Sequence, residues 1–315
     1  MPRIKLVASA VLIALASLSL TGQADGQDGV LAPAVTLSPS SVTNGHVILV
    51  EIDSHRDSTA VQLMYKDRFI PLSEHPTRAG GHYFALIGIP YYSAPGAAQL
   101  MVKWSGMDGF AEKKVPFRIT TGKYRSERLK VKPGKVSPSK PNLERIRVER
   151  QKIKTVYAER HLTRLWTAPF QKPIQSVVTS PFGSKRLFNG KTKSYHSGLD
   201  FRAAVGTPIY AANAGIVKMG QDLFYSGNII IIDHGMGLFT NYAHLSRMDV
   251  TPGQFVARGE QIGLAGATGR VNGPHLHWGA KVNGSTVNPM DLIERLTVLF
   301  DQSRTRSAQE KSIKP

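Results

Sequence analysis

The sequence predicts an all-β chain: two β-rich domains joined by a basic helical linker. Two observations carry most of that reading. Short apolar runs alternate with glycine-bearing turns over residues 31–120 and again over 174–289. Between them lie proline breaks and an apolar stripe at helical spacing. A length of 315 residues with 41% hydrophobic content suits about two globular domains rather than disorder.

Residues 1–24 read as a secretory signal. Arg3 and Lys5 form a basic start, Leu6 to Leu20 an apolar run, and Gly22-Gln23-Ala24 a small-residue cleavage site. Fifteen apolar residues fall short of the roughly twenty that span a bilayer, so the mature chain is expected to begin near Asp25. The protein has no cysteine, which excludes disulfides, thiolate metal sites and a cysteine-borne lipid anchor.

Residues 25–120 predict a small, immunoglobulin-like β-sandwich. Val47 to Ile52, Val61 to Tyr65, His82 to Ile89, Gln99 to Trp104 and Lys114 to Ile119 are strand-like. Thr43-Asn44-Gly45, Ala79-Gly80-Gly81 and Ser105 to Gly109 are turns. Here His46, His55, His75 and His82 lack ligand spacing and read as ordinary surface or turn residues.

Residues 121–169 form the linker. Lys132-Pro133-Gly134 and Ser137 to Pro141 interrupt regular structure, and Asn142 is placed to cap a helix running to about His161. Leu143, Ile146, Ile153, Val156 and Tyr157 give its apolar stripe. From Lys123 to Arg164 there are 14 basic and 4 acidic residues, more than half of the net charge of +18. Such a run suits a solvated linker, an envelope polyanion or an anionic membrane face. Without interleaved aromatics it argues against nucleic acid. His161 falls on the expected helix and has no partner in sequence.

Residues 170–295 predict a second β-domain, with strands at Thr207 to Ala211, Gly215 to Met219, Asn228 to Asp233, Leu238 to Ala243 and His275 to Val282. His234, after a buried run, reads as a turn residue. Residues 296–315 are expected to form a flexible tail, polar from Asp301 onward.

The chemistry concentrates in two short segments. Alternate side chains of a strand share a face, so in Pro274-His275-Leu276-His277-Trp278-Gly279 the two imidazoles point one way and Leu276 and Trp278 the other. In Tyr195 to Asp200, His196 and Asp200 are four apart, which returns both to one side of a helix or strand. Several imidazoles and one hard carboxylate suit Zn²⁺.

Together with Tyr242-Ala243-His244-Leu245, Ser180-Pro181-Phe182-Gly183, Gly206-Thr207-Pro208, Asp233-His234-Gly235 and Gly266-Ala267-Thr268-Gly269-Arg270, these segments resemble the lysostaphin/LytM-type zinc endopeptidases, peptidase family M23. The resemblance runs from about Thr179 to Pro289. It implies an antiparallel β-sheet core with zinc in a groove, held by His196, Asp200 and His277. It further implies an unligated catalytic pair, His244 and His275, one accepting the proton of water and the other assisting the oxyanion or leaving amine; His275 is favoured as the base.

The implied activity is hydrolysis of peptidoglycan cross-links between D-alanine and a diamino acid, in the periplasm or at the cell wall. A non-catalytic wall-binding protein or amidase activator is the alternative, but such relatives usually lack ligands, and here every position is filled. Leu187 to Ser194 is expected to form a lip of the groove, with Lys191 and Lys193 toward stem carboxylates. Whether the sandwich silences the enzyme until a regulatory protein arrives, and the oligomeric state, are not set by the sequence.

Overall fold

The computed structural model describes residues 32–301, apart from 55–58, 107–108, 130–132, 160, 189 and 191. The expected signal segment, His55, the Met107-Asp108 turn, Lys191 and residues 302–315 lie outside the described residues. Among the described residues no helix is long and apolar enough to cross a membrane.

The first nine strands are β1 (Ala34–Ser38), β2 (Ser41–Thr43), β3 (Val47–Asp53), β4 (Thr59–Tyr65), β5 (Arg68–Ile70), β6 (Ser73–Glu74), β7 (His82–Gly88), β8 (Gly96–Gly106) and β9 (Gly109–Thr120). They form two sheets, ordered β1-β3-β7-β6 and β2-β9-β8-β4-β5. Pairing is antiparallel except for β2 beside β9. Ile48, Val50 and Ile52 of β3 meet Leu100, Val102 and Trp104 of β8 in the core between the sheets.

The unbroken apolar start of β3 has a second cause. Val47 and Leu49 face the opposite way, into the core of the second domain, with Phe84 and Leu86 of β7. A strand buried on both faces cannot alternate apolar with polar. The sandwich is thus fixed to its neighbour by a packed face.

Between the domains come β10 (Ser126–Leu129) and helix α1 (Lys140–Ala158). The helix starts earlier than Asn142: Ser139 is its N-cap and Pro141 sits in the first turn, where a missing N–H costs nothing. It ends at Ala158, so His161 is off the helix, and it does have a partner. Its backbone N–H and its Nδ1 both lie 2.9 Å from Asp233 Oδ2.

The remaining elements are β11 (Val178–Ser180), β12 (Lys185–Phe188), β13 (Thr192–Tyr195), β14 (Leu199–Arg202), β15 (Pro208–Tyr210), β16 (Gly215–Leu223), β17 (Gly227–Asp233), β18 (Leu238–Met248), β19 (Phe255–Val256), β20 (Gln261–Ala265), β21 (His275–Val282), β22 (Ser285–Val287) and helix α2 (Pro289–Phe300). The main sheet runs β11-β14-β21-β18-β17-β16-β19, with antiparallel neighbours throughout. In β17, Ile230 and Ile232 enter the main core, while Ile229 and Ile231 face Ile153, Val156 and Tyr157 of α1. The sheet is covered on both faces.

Helix α2 buries Leu292, Leu296 and Leu299 against that core. Residues 296–300 therefore belong to the fold and not to a tail. Asp291 Oδ2 accepts the Val47 N–H at 2.7 Å, and Tyr91 stacks on Tyr195 with ring centroids 4.0 Å apart. The histidines of the sandwich are mostly paired: His46 Nδ1 lies 3.2 Å from Asp291, His82 Nδ1 2.7 Å from Asp53, and His75, buried rather than on the surface, 3.3 Å from Glu51.

A candidate metal centre in an open cleft

Strand register builds the site. β14 runs antiparallel to β21 with Asp200 opposite His277 and Leu199 opposite Trp278. Directly opposed residues share a face, so Asp200 and His277 project together while Leu199, Phe201, Leu276 and Trp278 are buried behind them. His196 follows β13, and its backbone is held by hydrogen bonds with Gly183 and Ser184 at 2.8 Å each. Gly198 between them is required by space. A Cβ there would lie 2.4 Å from the Trp278 carbonyl oxygen and 2.8 Å from His277 Nε2.

Three donor atoms converge. His196 Nε2 lies 2.8 Å from Asp200 Oδ1 and 2.9 Å from His277 Nδ1, and His277 Nδ1 lies 2.9 Å from Asp200 Oδ1. Among the described residues this is the group of His, Asp and Glu side chains that could hold a metal ion. His196 Nδ1 donates to the Pro181 carbonyl at 3.0 Å. A carbonyl can only accept, so the proton sits on Nδ1 and the Nε2 lone pair faces the carboxylate. Lone pairs directed at one another call for a cation between them.

The donor set fits zinc. Ligands at about 2.0–2.1 Å in a tetrahedron are spaced by roughly 3.3 Å, a few tenths more than the separations seen. Burial lowers the His196 imidazole to about 4, which keeps it neutral, as a ligand must be. Burial alone would raise Asp200, but the close approach of the His196 and His277 rings outweighs it and holds the carboxyl well below its ordinary range.

Supporting residues fix these donors. Arg186 Nη2 donates to Asp200 Oδ2 at 2.6 Å and to Ser180 Oγ at 2.9 Å. Ser180 Oγ lies 3.1 Å from His196 Nδ1 and donates to Glu127 at 3.1 Å. Glu127 also accepts from Arg186 Nε at 3.4 Å. It arrives on β10, which pairs in parallel with β12, Glu127 opposite Arg186.

The donors open into a cleft of about 600 Å³ that His244, His275, Tyr225 and Arg270 also line. His275 Nδ1 donates to the Gly273 carbonyl at 2.9 Å and its Nε2 lies 3.7 Å from Asp200 Oδ1. His244 Nδ1 donates to the Thr268 carbonyl at 2.8 Å. In the neutral form of either ring this leaves the Nε2 lone pair as the acceptor. Burial pushes His244 down to about 3, and its ring centroid is 4.8 Å from that of His275. His244 has φ +65° beside register shifts in β18 with both β17 and β20. A bulge of this kind re-aims a side chain.

All five residues expected at the site thus lie around one cleft. His234 lies apart, buried, with Nδ1 donating to the Ala214 carbonyl at 2.7 Å and Nε2 2.7 Å from Thr240 Oγ1. The expected lip is the β12–β13 hairpin, from which Phe188 and Ser194 line the cleft. Sequence reasoning missed Glu127, Arg186 and Tyr225. Glu127 looked like one acid in a basic linker, and nothing local announces that its strand crosses to β12.

Comparison with known proteins is consistent with this geometry. Residues 194–289 match the profile of peptidase family M23. Peptidoglycan DD-endopeptidase ShyA of Vibrio cholerae is 45% identical over 125 residues, 38% of this chain and 29% of that protein. DD-carboxypeptidase/endopeptidase Mpg of Neisseria meningitidis is 40% identical over 138 residues, 44% of this chain and 32% of that one. The chain spans about a third or less of the length of these relatives. The crystal structure of a Pseudomonas aeruginosa protein assigned to peptidase M23 superposes with a TM-score of 0.62 at 29% identity, covering 80% of this chain and 94% of that chain.

Proposed function

We propose that this chain, which carries a peptidase family M23 domain, is an exported zinc-dependent endopeptidase cleaving the cross-links of peptidoglycan between D-alanine and a diamino acid. One observation carries the reading: three convergent donors and two further imidazoles, His244 and His275, share an open cleft. A cleft rather than a closed cavity suits a polymeric substrate.

His196, Asp200 and His277 would hold the zinc ion, with Arg186 and Ser180 keeping two of them oriented. Bound zinc supplies Lewis acidity, making water a nucleophile near neutral pH and polarising a carbonyl. His275 Nε2 takes the proton that the attacking water loses and returns it to the amine that leaves as the C–N bond breaks. Burial holds His244 neutral, so its Nε2 accepts a hydrogen bond from a substrate N–H or from the water and orients it. The basic linker would favour an anionic wall polymer as a secondary contact.

The test is mass spectrometry of cross-linked muropeptides incubated with the zinc-loaded chain, beside His277→Ala and a chelated sample. Uncross-linked monomers should appear only with the loaded parent. Binding of the muropeptides without cleavage would instead favour a wall-binding role.

A further inference from the structure

Two arginines approach the same cleft and only one is committed. Arg186 is bound to Asp200, Ser180 and Glu127. Arg270 is half-buried, and its guanidinium carbon lies 4.1 Å from the ring centroid of Phe188 and 4.3 Å from that of Tyr225. Its backbone N–H donates to the Tyr225 carbonyl at 2.8 Å. Among the described residues no carboxylate pairs with it. It stands on the loop leading into β21, five residues before His275, and lines the cleft with the metal-binding group.

Burying a cation without a counter-ion is costly, and stacking on aromatic faces recovers only part of the lost hydration. The guanidinium lies over both rings, and its N–H fork matches a carboxylate in two parallel hydrogen bonds. Burial also lowers its affinity for the proton, which an incoming anion would reverse. An unpaired, pre-positioned fork beside a peptide-cleaving centre needs an anion from the substrate itself.

We infer that Arg270 is a specificity residue that receives a free carboxylate of the cross-linked peptide, so that the enzyme prefers acidic stems over stems whose carboxyls are amidated. This rests on the peptidase reading above. Lysine would supply the charge without the fork, and glutamine neither.

The experiment uses two synthetic cross-linked peptides, identical except that the stem carboxyls are free or amidated, and the full zinc-loaded chain. The parent should cleave the acid with kcat/KM roughly ten- to a hundredfold above the amide, mostly through KM. In Arg270→Gln that ratio should collapse toward one, and in Arg270→Lys it should fall between. A parent without preference, or an unchanged ratio in Arg270→Gln at the parent's melting temperature, would overturn the inference. Arg270→Lys decides if the glutamine variant does not fold, since an unaltered ratio there removes the need for a fork. If the parent cleaves neither peptide, the peptidase reading fails on its own. Fluorescence anisotropy with both peptides labelled then still decides: acid-selective binding lost in Arg270→Gln supports the carboxylate site, and equal binding overturns it.

Discussion

Arg186 holds the oxygen of Asp200 that points away from the imidazoles: Nη2 reaches Oδ2 at 2.6 Å, while Oδ1 faces His196 and His277 at 2.8 and 2.9 Å. One carboxylate is thereby divided between a fixed cation and a place for a second one. Removing the partner of a liganding group typically weakens metal affinity about ten- to a hundredfold. Arg186→Met is expected to raise the zinc Kd by that factor, and Arg186→Lys by less, in competition with a chromophoric chelator. An unaltered Kd in Arg186→Met would show that Asp200 is held without it.

Gly198→Ala should be as damaging to metal binding as loss of a ligand, although glycine contributes no donor. The new methyl group would sit 2.4 Å from the Trp278 carbonyl and 2.8 Å from the His277 ring, so β14 and β21 must separate where Asp200 opposes His277. Zinc content after dialysis should fall from one per chain to a small fraction, measured by atomic absorption. Full occupancy would mean that the strands move aside cheaply.

Acid should destabilise the metal-free protein in a defined window. Burial lowers His234 from 6.5 to about 4. Between those values the unfolded chain binds a proton that the folded chain refuses, so stability is complete above about pH 6.5 and declines until about pH 4. The full span is worth about 3 kcal/mol. His196 and His244, lowered to about 4 and about 3 by burial, add in the same direction. Urea unfolding at pH 7 and pH 5 in chelator should show a smaller difference in His234→Asn than in the parent; an equal difference would remove His234 from the account.

Helix α1 is fastened by one buried acid. Glu149 accepts the Phe224 N–H at 2.9 Å and Arg145 Nε at 2.6 Å. In Glu149→Ala a buried N–H loses its partner, at a cost of about 1–3 kcal/mol. Chemical unfolding should report that loss, and hydrogen exchange should quicken in α1 before the main sheet. A loss confined to a few tenths would mean that water replaces the carboxylate.

Period-two alternation put His275 and His277 on one face and a four-residue spacing did the same for His196 and Asp200, whereas the meeting of the two pairs, with His244 beside them, was legible only through the family resemblance. The alternation rule also explains β17 and β3, where unbroken isoleucine and valine runs report burial on both faces. Legibility failed where long-range pairing decides the outcome. Glu149 is charged and faces inward, because its partner is a backbone group far along the chain. His161 gained Asp233 only once the helix ended early. His244 adopts a left-handed backbone that nothing in Tyr242-Ala243-His244-Leu245 announces.

The strand that carries Glu127 is made before the strand it pairs with. On a chain synthesised from its N-terminus, the sandwich strands and β10 exist while β12, the partner of β10 about sixty residues later, does not. Domains tend to fold in order of synthesis, so β10 waits with an open edge beside a finished domain. One wall of the cleft therefore closes late, after the hairpin arrives to meet it, and a fragment that begins downstream of Leu129 would present the donors without that wall.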